Sequence, residues 1–105
     1  MIMELEEARN KIIANLRNVY DPEIPVNIYD LGLVYEINLD EWPVVTVTYT
    51  LTSAFCPAAD DIVAGIFFAV VNVEDVANCY INTVFDPPFS FDKMSDDAKL
   101  QLGLL

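Results

Sequence analysis

No histidine occurs anywhere in the 105 residues, only two cysteines do, and five lysines and arginines face 17 aspartates and glutamates, for a formal charge of -12. Each scarcity removes a class of chemistry. Without an imidazole there is no Ser/His/Asp triad, no Cys/His dyad and no histidine-ligated zinc or copper, because all of these use a ring nitrogen that titrates near neutral pH. Two thiols fall short of a four-thiolate zinc or iron-sulfur site, so a cluster would need other ligand types, a second subunit or a partner protein. The acidic balance, with no stretch rich in lysine or arginine to offset it, repels polyphosphate and excludes nucleic acid as a partner. Long apolar runs are missing as well. The longest, Ile62 to Val71, lies between Asp61 and Asn72, well short of the roughly 20 residues that span a bilayer. The acidic start Met1-Ile2-Met3-Glu4 does not resemble a signal peptide, so a cytoplasmic protein is expected.

What is present makes a folded chain. With 54% hydrophobic and 11% aromatic residues, the composition is that of a globular domain and not of an acidic disordered tail. The length allows one domain, residues 1–105, with one modest core.

The periodicity divides that domain into six elements. From Met3 to about Asn18, Leu5, Ala8, Ile12, Ile13, Leu16 and Val19 recur at steps of three and four, the helical period. Glu4, Glu6 and Glu7 open this helix, Arg17 closes it, and Glu7 can pair with Lys11. Pro22 ends it, and a loop runs on to Gly32. Leu33, Tyr35, Ile37 and Leu39 then alternate with Val34, Glu36 and Asn38, and Val45, Val47, Tyr49 and Leu51 with Thr46, Thr48, Thr50 and Thr52. Joined by Asp40-Glu41-Trp42-Pro43, these are two strands of an antiparallel hairpin. Pro57 stands at the first position of a helix from about Ala58 to Val71, whose apolar residues nearly encircle it and call for burial on the sheet or at a subunit interface. A third strand spans about Val76 to Phe85 and stops at Asp86-Pro87-Pro88. Ser95 caps a last helix from Asp96 to Leu102, with Gly103 as its stop. The expected fold is therefore α+β in two layers, a small three-stranded mixed sheet with helices on one face. Its exposed sheet edge and surplus apolar surface suggest a homodimer.

Two cysteines and an acidic loop are the residues with chemistry to offer. Cys56 lies after a strand and directly before a helix, where helix amides would favour a thiolate, while Asp60, Asp61 and the overall charge oppose it. A small buried hydrophobe is the alternative reading. Cys79 shares a strand face with Ala77, Ile81, Thr83 and Phe85 and reads as a core residue. Free thiols are expected, with a Cys56–Cys79 disulfide left open by the sequence. Asp21, Glu23 and Asp30 surround Pro22 and Pro25. Capping of backbone amides suits Asp21 and Asp30, whereas Glu23 has no local task. Phe67-Phe68 and the Phe89/Phe91 pair suit packing or an interface.

Five segments in order, Asp21-Pro22-Glu23-Ile24-Pro25, Asp30-Leu31-Gly32-Leu33-Val34-Tyr35, Thr50-Leu51-Thr52-Ser53 with Cys56-Pro57, Asp86-Pro87-Pro88-Phe89, and Met94-Ser95-Asp96-Asp97-Ala98 with Leu102-Gly103, resemble the SufT and PaaD-like family of iron-sulfur cluster assembly proteins. The resemblance spans nearly the whole chain and is nearest to stand-alone SufT-type proteins. It implies that Cys56 is the functional residue, binding iron or an iron-sulfur cluster transiently, with Glu23 as second ligand and Asp21, Pro22, Asp30, Thr52 and Pro57 as supporting motif residues. It also implies a non-enzymatic assembly factor whose partners are iron-sulfur assembly proteins or client apoproteins. A metal-free adaptor and a PaaD-like accessory factor for a ring-hydroxylating monooxygenase are the alternatives. Two departures from the family pattern stand out, Phe89 in place of a common tryptophan and the bulky Ala54-Phe55 before the cysteine.

Overall fold

The computed structural model describes residues 4–21, 24–52 and 59–104. Helix α1 covers Leu5–Leu16, and a sheet of β1 (Val34–Asn38), β2 (Val44–Tyr49) and β3 (Asn78–Thr83) runs in the order β1-β2-β3. Strands β1 and β2 are antiparallel, while β2 and β3 are parallel and joined through α3 (Ala59–Val71). The expected mixed three-stranded α+β sheet is therefore what forms. A parallel pair needs a crossover long enough to return the chain to the same end, and α3 supplies it.

Packing follows the apolar periods. Ala8, Ile12 and Leu16, one stripe of α1, are fully buried against Ile62, Ile66 and Val70 of α3 and the inward row Val45, Val47 and Tyr49 of β2. Burial of one such aliphatic side chain contributes about 1.5–3 kcal/mol, so this shared core is a main source of the domain's stability. The expected Glu7–Lys11 ion pair is present at 3.5 Å on the exposed side of α1, where such pairs add little.

Four expectations need correction. The stretch from Asp21 to Gly32 is not all loop, because Ile28–Leu31 forms a one-turn helix, α2. Asn27 caps it, its side-chain oxygen accepting from the Asp30 amide at 2.9 Å while its amide group donates to the Asp30 carboxylate at 2.8 Å. The loop before α2 is closed at its base by the Tyr20–Asn27 bridge and by the Ile28 amide donating to the Val19 carbonyl at 2.8 Å. Second, alternation in β1 fails at Tyr35. Val34 pairs with Tyr49 and Glu36 with Thr48, so Tyr35 is an extra residue in a bulge. Its hydroxyl donates instead to the Pro87 carbonyl at 2.8 Å. Third, α3 is buried along one stripe only, leaving Phe68 exposed. Fourth, β3 is shorter than its apolar pattern. Cys79 is buried but Thr83 and Phe85 are exposed, because α3 covers only the start of the strand.

The last helix, α4 (Asp96–Gln101), starts where expected, with the Ser95 hydroxyl accepting from the Ala98 amide at 3.1 Å. Ser95→Ala should cost about 1 kcal/mol, measured as a lower urea midpoint at unchanged slope. A loss below about 0.3 kcal/mol would mean that the cap contributes nothing. The Ser95 amide also donates to the Asp30 carbonyl at 2.8 Å, so α2 and α4 are tied together.

Candidate functional site

Segments far apart in the chain meet at one apolar cavity of about 390 Å³. Ile24 and Pro25 reach it from the first motif, Thr52 from the end of the β2 motif, Phe89 from the Asp-Pro-Pro-Phe motif, and Met94 and Leu102 from either side of α4. Phe91 completes the wall, with its ring edge-on to Phe89 at 6.0 Å and 79°, and is 63% exposed. The ring pair holds a fixed, open apolar edge, because the edge-to-face arrangement is favoured by the ring quadrupoles. Thr52 is the last described residue before the 53–58 segment that carries Cys56, and Ile24 is the first after Pro22 and Glu23. Cys56, Pro57, Pro22 and Glu23 themselves lie outside the described residues.

The supporting residues that are described divide into two groups. Thr52 belongs to the cavity. Asp30 does not, since its carboxylate is engaged by Asn27 and lies 3.6 Å from the Arg17 Nε, which stands over the Tyr29 ring at 5.2 Å. Its carboxylate is spent on the Asn27 and Arg17 side chains and not on the backbone amides that the capping reading called for, and it links the end of α1 to α2. Asp21 is only 3% exposed at the base of the first motif, where its carbonyl accepts from the Ile24 amide at 3.1 Å. A buried carboxylate with backbone engaged in a turn suits the capping role more than that of a mobile ligand.

Cys79 sits in the core, where burial pushes its thiol up from 9.0 to about 11. It is a free cysteine whose Sγ lies 3.7 Å from the Tyr80 carbonyl. A thiol held neutral and buried at physiological pH is a poor nucleophile and a poorly accessible ligand. That leaves Cys56 as the chain's other thiol. Among the described residues no group of three or more cysteine, aspartate or glutamate side chains is placed to hold a metal ion, and no helix is long and apolar enough to cross a membrane.

The raised Cys79 value has a consequence for stability. The unfolded thiol ionises near pH 9 and the folded one only near 11, so stability tied to the neutral thiol is complete below pH 9 and lost as pH rises toward 11. The fall should amount to at most about 2–3 kcal/mol. Tyr35 adds to it at higher pH, since burial also raises its phenol against an opposing hydrogen bond with the Thr50 side chain. In Cys79→Val the part of the slope between pH 9 and 10 should vanish in urea titrations. An unchanged slope would place its origin elsewhere.

The cavity was beyond the reach of the sequence, although each of its walls except Phe91 belongs to a recognisable motif. Phe89 and Phe91 carried a signal as an aromatic pair, and Met94 and Leu102 carried one as members of the last motif. The Lys93 ammonium over the Tyr35 ring, at 5.6 Å, likewise joins residues too distant for any local pattern.

A one-core α+β domain with an apolar cavity where separate chain segments meet defines a class of small domains whose described residues hold no cluster of metal ligands. Residues 9–81 match the family model for an iron-sulfur cluster assembly protein. The chain is 45% identical to an Fe-S protein maturation auxiliary factor of Porphyromonas gingivalis over 97% of both chains. It is 41% identical to the Bacillus subtilis factor YitW over 95% of this chain and 99% of that one. It is 38% identical to the Staphylococcus aureus factor SufT over 82% of this chain and 98% of that one. The fold matches a domain of unknown function from Bacillus anthracis with a TM-score of 0.86 and 42% identity, covering 95% of each chain. A Mycobacterium tuberculosis protein associated with Fe-S complex assembly and repair matches with a TM-score of 0.54 and 38% identity, over 97% of this chain and 89% of that one. The chain therefore belongs to the SufT-like family of iron-sulfur cluster assembly proteins.

Proposed function

We propose that this protein is a non-enzymatic auxiliary factor in the maturation of iron-sulfur proteins, acting in the reducing cytoplasm through Cys56. Its relatives carry that function in their names. The observation that carries the reading is the meeting of separate motifs at one apolar cavity whose rim residue, Thr52, leads into the Cys56 segment. Iron or a cluster is the cargo, held briefly by the Cys56 thiolate and then passed on. One thiolate per chain makes a weak site, which suits a carrier that must release what it holds. Glu23 is the carboxylate nearest in sequence to the cavity's first wall and is the candidate second ligand. Remaining positions fall to a second subunit, the carrier or the client apoprotein. The test is anaerobic reconstitution with iron and sulfide, followed by visible absorbance. Cys56→Ser should take up neither iron nor cluster while keeping the parent's circular dichroism, and undiminished uptake would dismiss the site.

The apolar lining of the cavity favours a second reading, a metal-free adaptor that seats an apolar side chain of a client. Recovery of assembly partners by Cys56→Ser as efficient as by the parent would support the adaptor over the carrier.

A further inference from the structure

We infer that the shallow groove between the end of α1 and α3 is a docking surface for a cationic segment of a partner protein, with an arginine or lysine side chain lying across it. The groove, of about 550 Å³, is distinct from the motif cavity and is lined by Asn15, Tyr20, Asp61, Gly65, Phe68 and Asn72 among others. Phe68 is 59% exposed and Tyr20 53% exposed. Two aromatic rings beside one exposed carboxylate form a receptor for a cation, since ring faces attract it, the carboxylate neutralises it and its aliphatic stem covers apolar surface. The Phe68 ring is held by an edge-on contact with Phe67 at 5.6 Å and 79°. Asn15 donates its amide group to the Ala69 carbonyl at 2.9 Å, which fixes the end of α1 against α3 along the groove.

Charge decides the occupant. No lysine or arginine lies between Arg17 and Lys93, so β1, β2, α3 and β3 carry no positive side chain, while Glu36 of β1 and Asp60 and Asp61 of α3 are negative. Four of the five cations are engaged elsewhere, and the fifth, Lys99, lies on α4. Arg9 donates to the Ile37 carbonyl at 2.7 Å, Lys11 pairs with Glu7, Arg17 with Asp30, and Lys93 covers Tyr35. A second copy of this chain would bring a formal -12 against -12 and offer no cation from its own α3. A basic partner meets the same surface with attraction at long range and gains rate and specificity from it. The exposed apolar residues of α3, left over when one stripe is buried on the sheet, are the contact area such a partner covers.

The test is a titration of the isotope-labelled full chain with a synthetic peptide carrying arginines along an apolar helical repeat, and with its counterpart having glutamine at each arginine. It needs no iron, so it is read independently of the cargo proposal. The arginine peptide should bind with amide shifts centred on Tyr20, Gly65, Phe68 and Asn72. Asp61→Asn and Phe68→Ala should each weaken it about three- to fivefold, the scale of one exposed cation–aromatic or charge contact. Glu41→Gln, the same charge change placed in the β1–β2 turn, should leave affinity nearly unchanged in physiological salt. The proposal is overturned if the glutamine peptide binds equally well, if the shifts map to another surface, or if Glu41→Gln weakens binding as much as Asp61→Asn. It is equally overturned if sedimentation shows a dimer of this chain that Phe68→Ala dissolves.

Discussion

Gly32→Ala should destabilise the protein by about 3 kcal/mol, a large share of the 5–15 kcal/mol that holds a domain of this size together. Two costs combine. Gly32 ends α2 with φ at +89°, in the left-handed region that a Cβ disfavours by about 1–2 kcal/mol. A Cβ built there would also run into the Lys93 carbonyl oxygen and stand 2.7 Å from its carbon and 2.8 Å from the Lys93 Cβ. Backbone cannot move aside as a side-chain end can. Displacing residues 91–95 would stretch the 2.8 Å bond from the Ser95 amide to the Asp30 carbonyl and shift Phe91 and Met94, two walls of the cavity. Gly103 separates the two costs, because its φ is +75° yet nothing lies within 4 Å of a Cβ placed on it. Gly103→Ala should therefore lose only about 1 kcal/mol. Urea unfolding of both variants measures the difference, and equal losses would remove the backbone contact from the account.

How far the sequence could be read depends on whether a feature is local. The β2 row Val45, Val47, Tyr49 and Leu51 is buried as its alternation requires, and Ser95 and Gly103 mark the two ends of α4 through local hydrogen bonds. Cys79 lies in the core as its place in the alternation suggested, although Ala77, Thr83 and Phe85 of the same row are exposed. Helix α2 escaped notice because one turn has no period to detect; its only signals are Asn27 with Asp30 three residues on, and Gly32 beyond. The bulge at Tyr35 escaped for a related reason. An extra residue reverses the parity of everything before it, and parity was the only guide. Helix α3 shows the limit from the other side. Its composition suits burial all round, but only the stripe Ile62, Ile66 and Val70 is buried and Phe68 is left exposed. The candidate site lies between these cases. Its motifs are visible one by one in the chain, whereas their meeting at a single cavity is a tertiary fact.

The two cysteines should behave as opposites, and the largest expected change belongs to Cys56. In anaerobic reconstitution Cys56→Ser should lose essentially all uptake of iron and sulfide, whereas Cys79→Val should retain the parent's uptake. The reasoning for Cys79 is physical. Its thiol is buried and pushed up to about 11, so at pH 7.5 the thiolate fraction is on the order of one in a few thousand. Alkylation should show the same division without any metal. The native parent should consume about one equivalent of iodoacetamide readily and the second only on unfolding, and native Cys56→Ser should consume almost none. Serine keeps the size of cysteine but is not a soft ligand, so a loss of uptake with unchanged unfolding midpoint isolates ligation from folding. If Cys79→Val abolished uptake as well, while remaining folded, the buried thiol would have to be reached by a rearrangement of β3. If instead both variants retained uptake, Cys56 would not be the essential ligand, and the assignment of this domain as a carrier acting through Cys56 would fall.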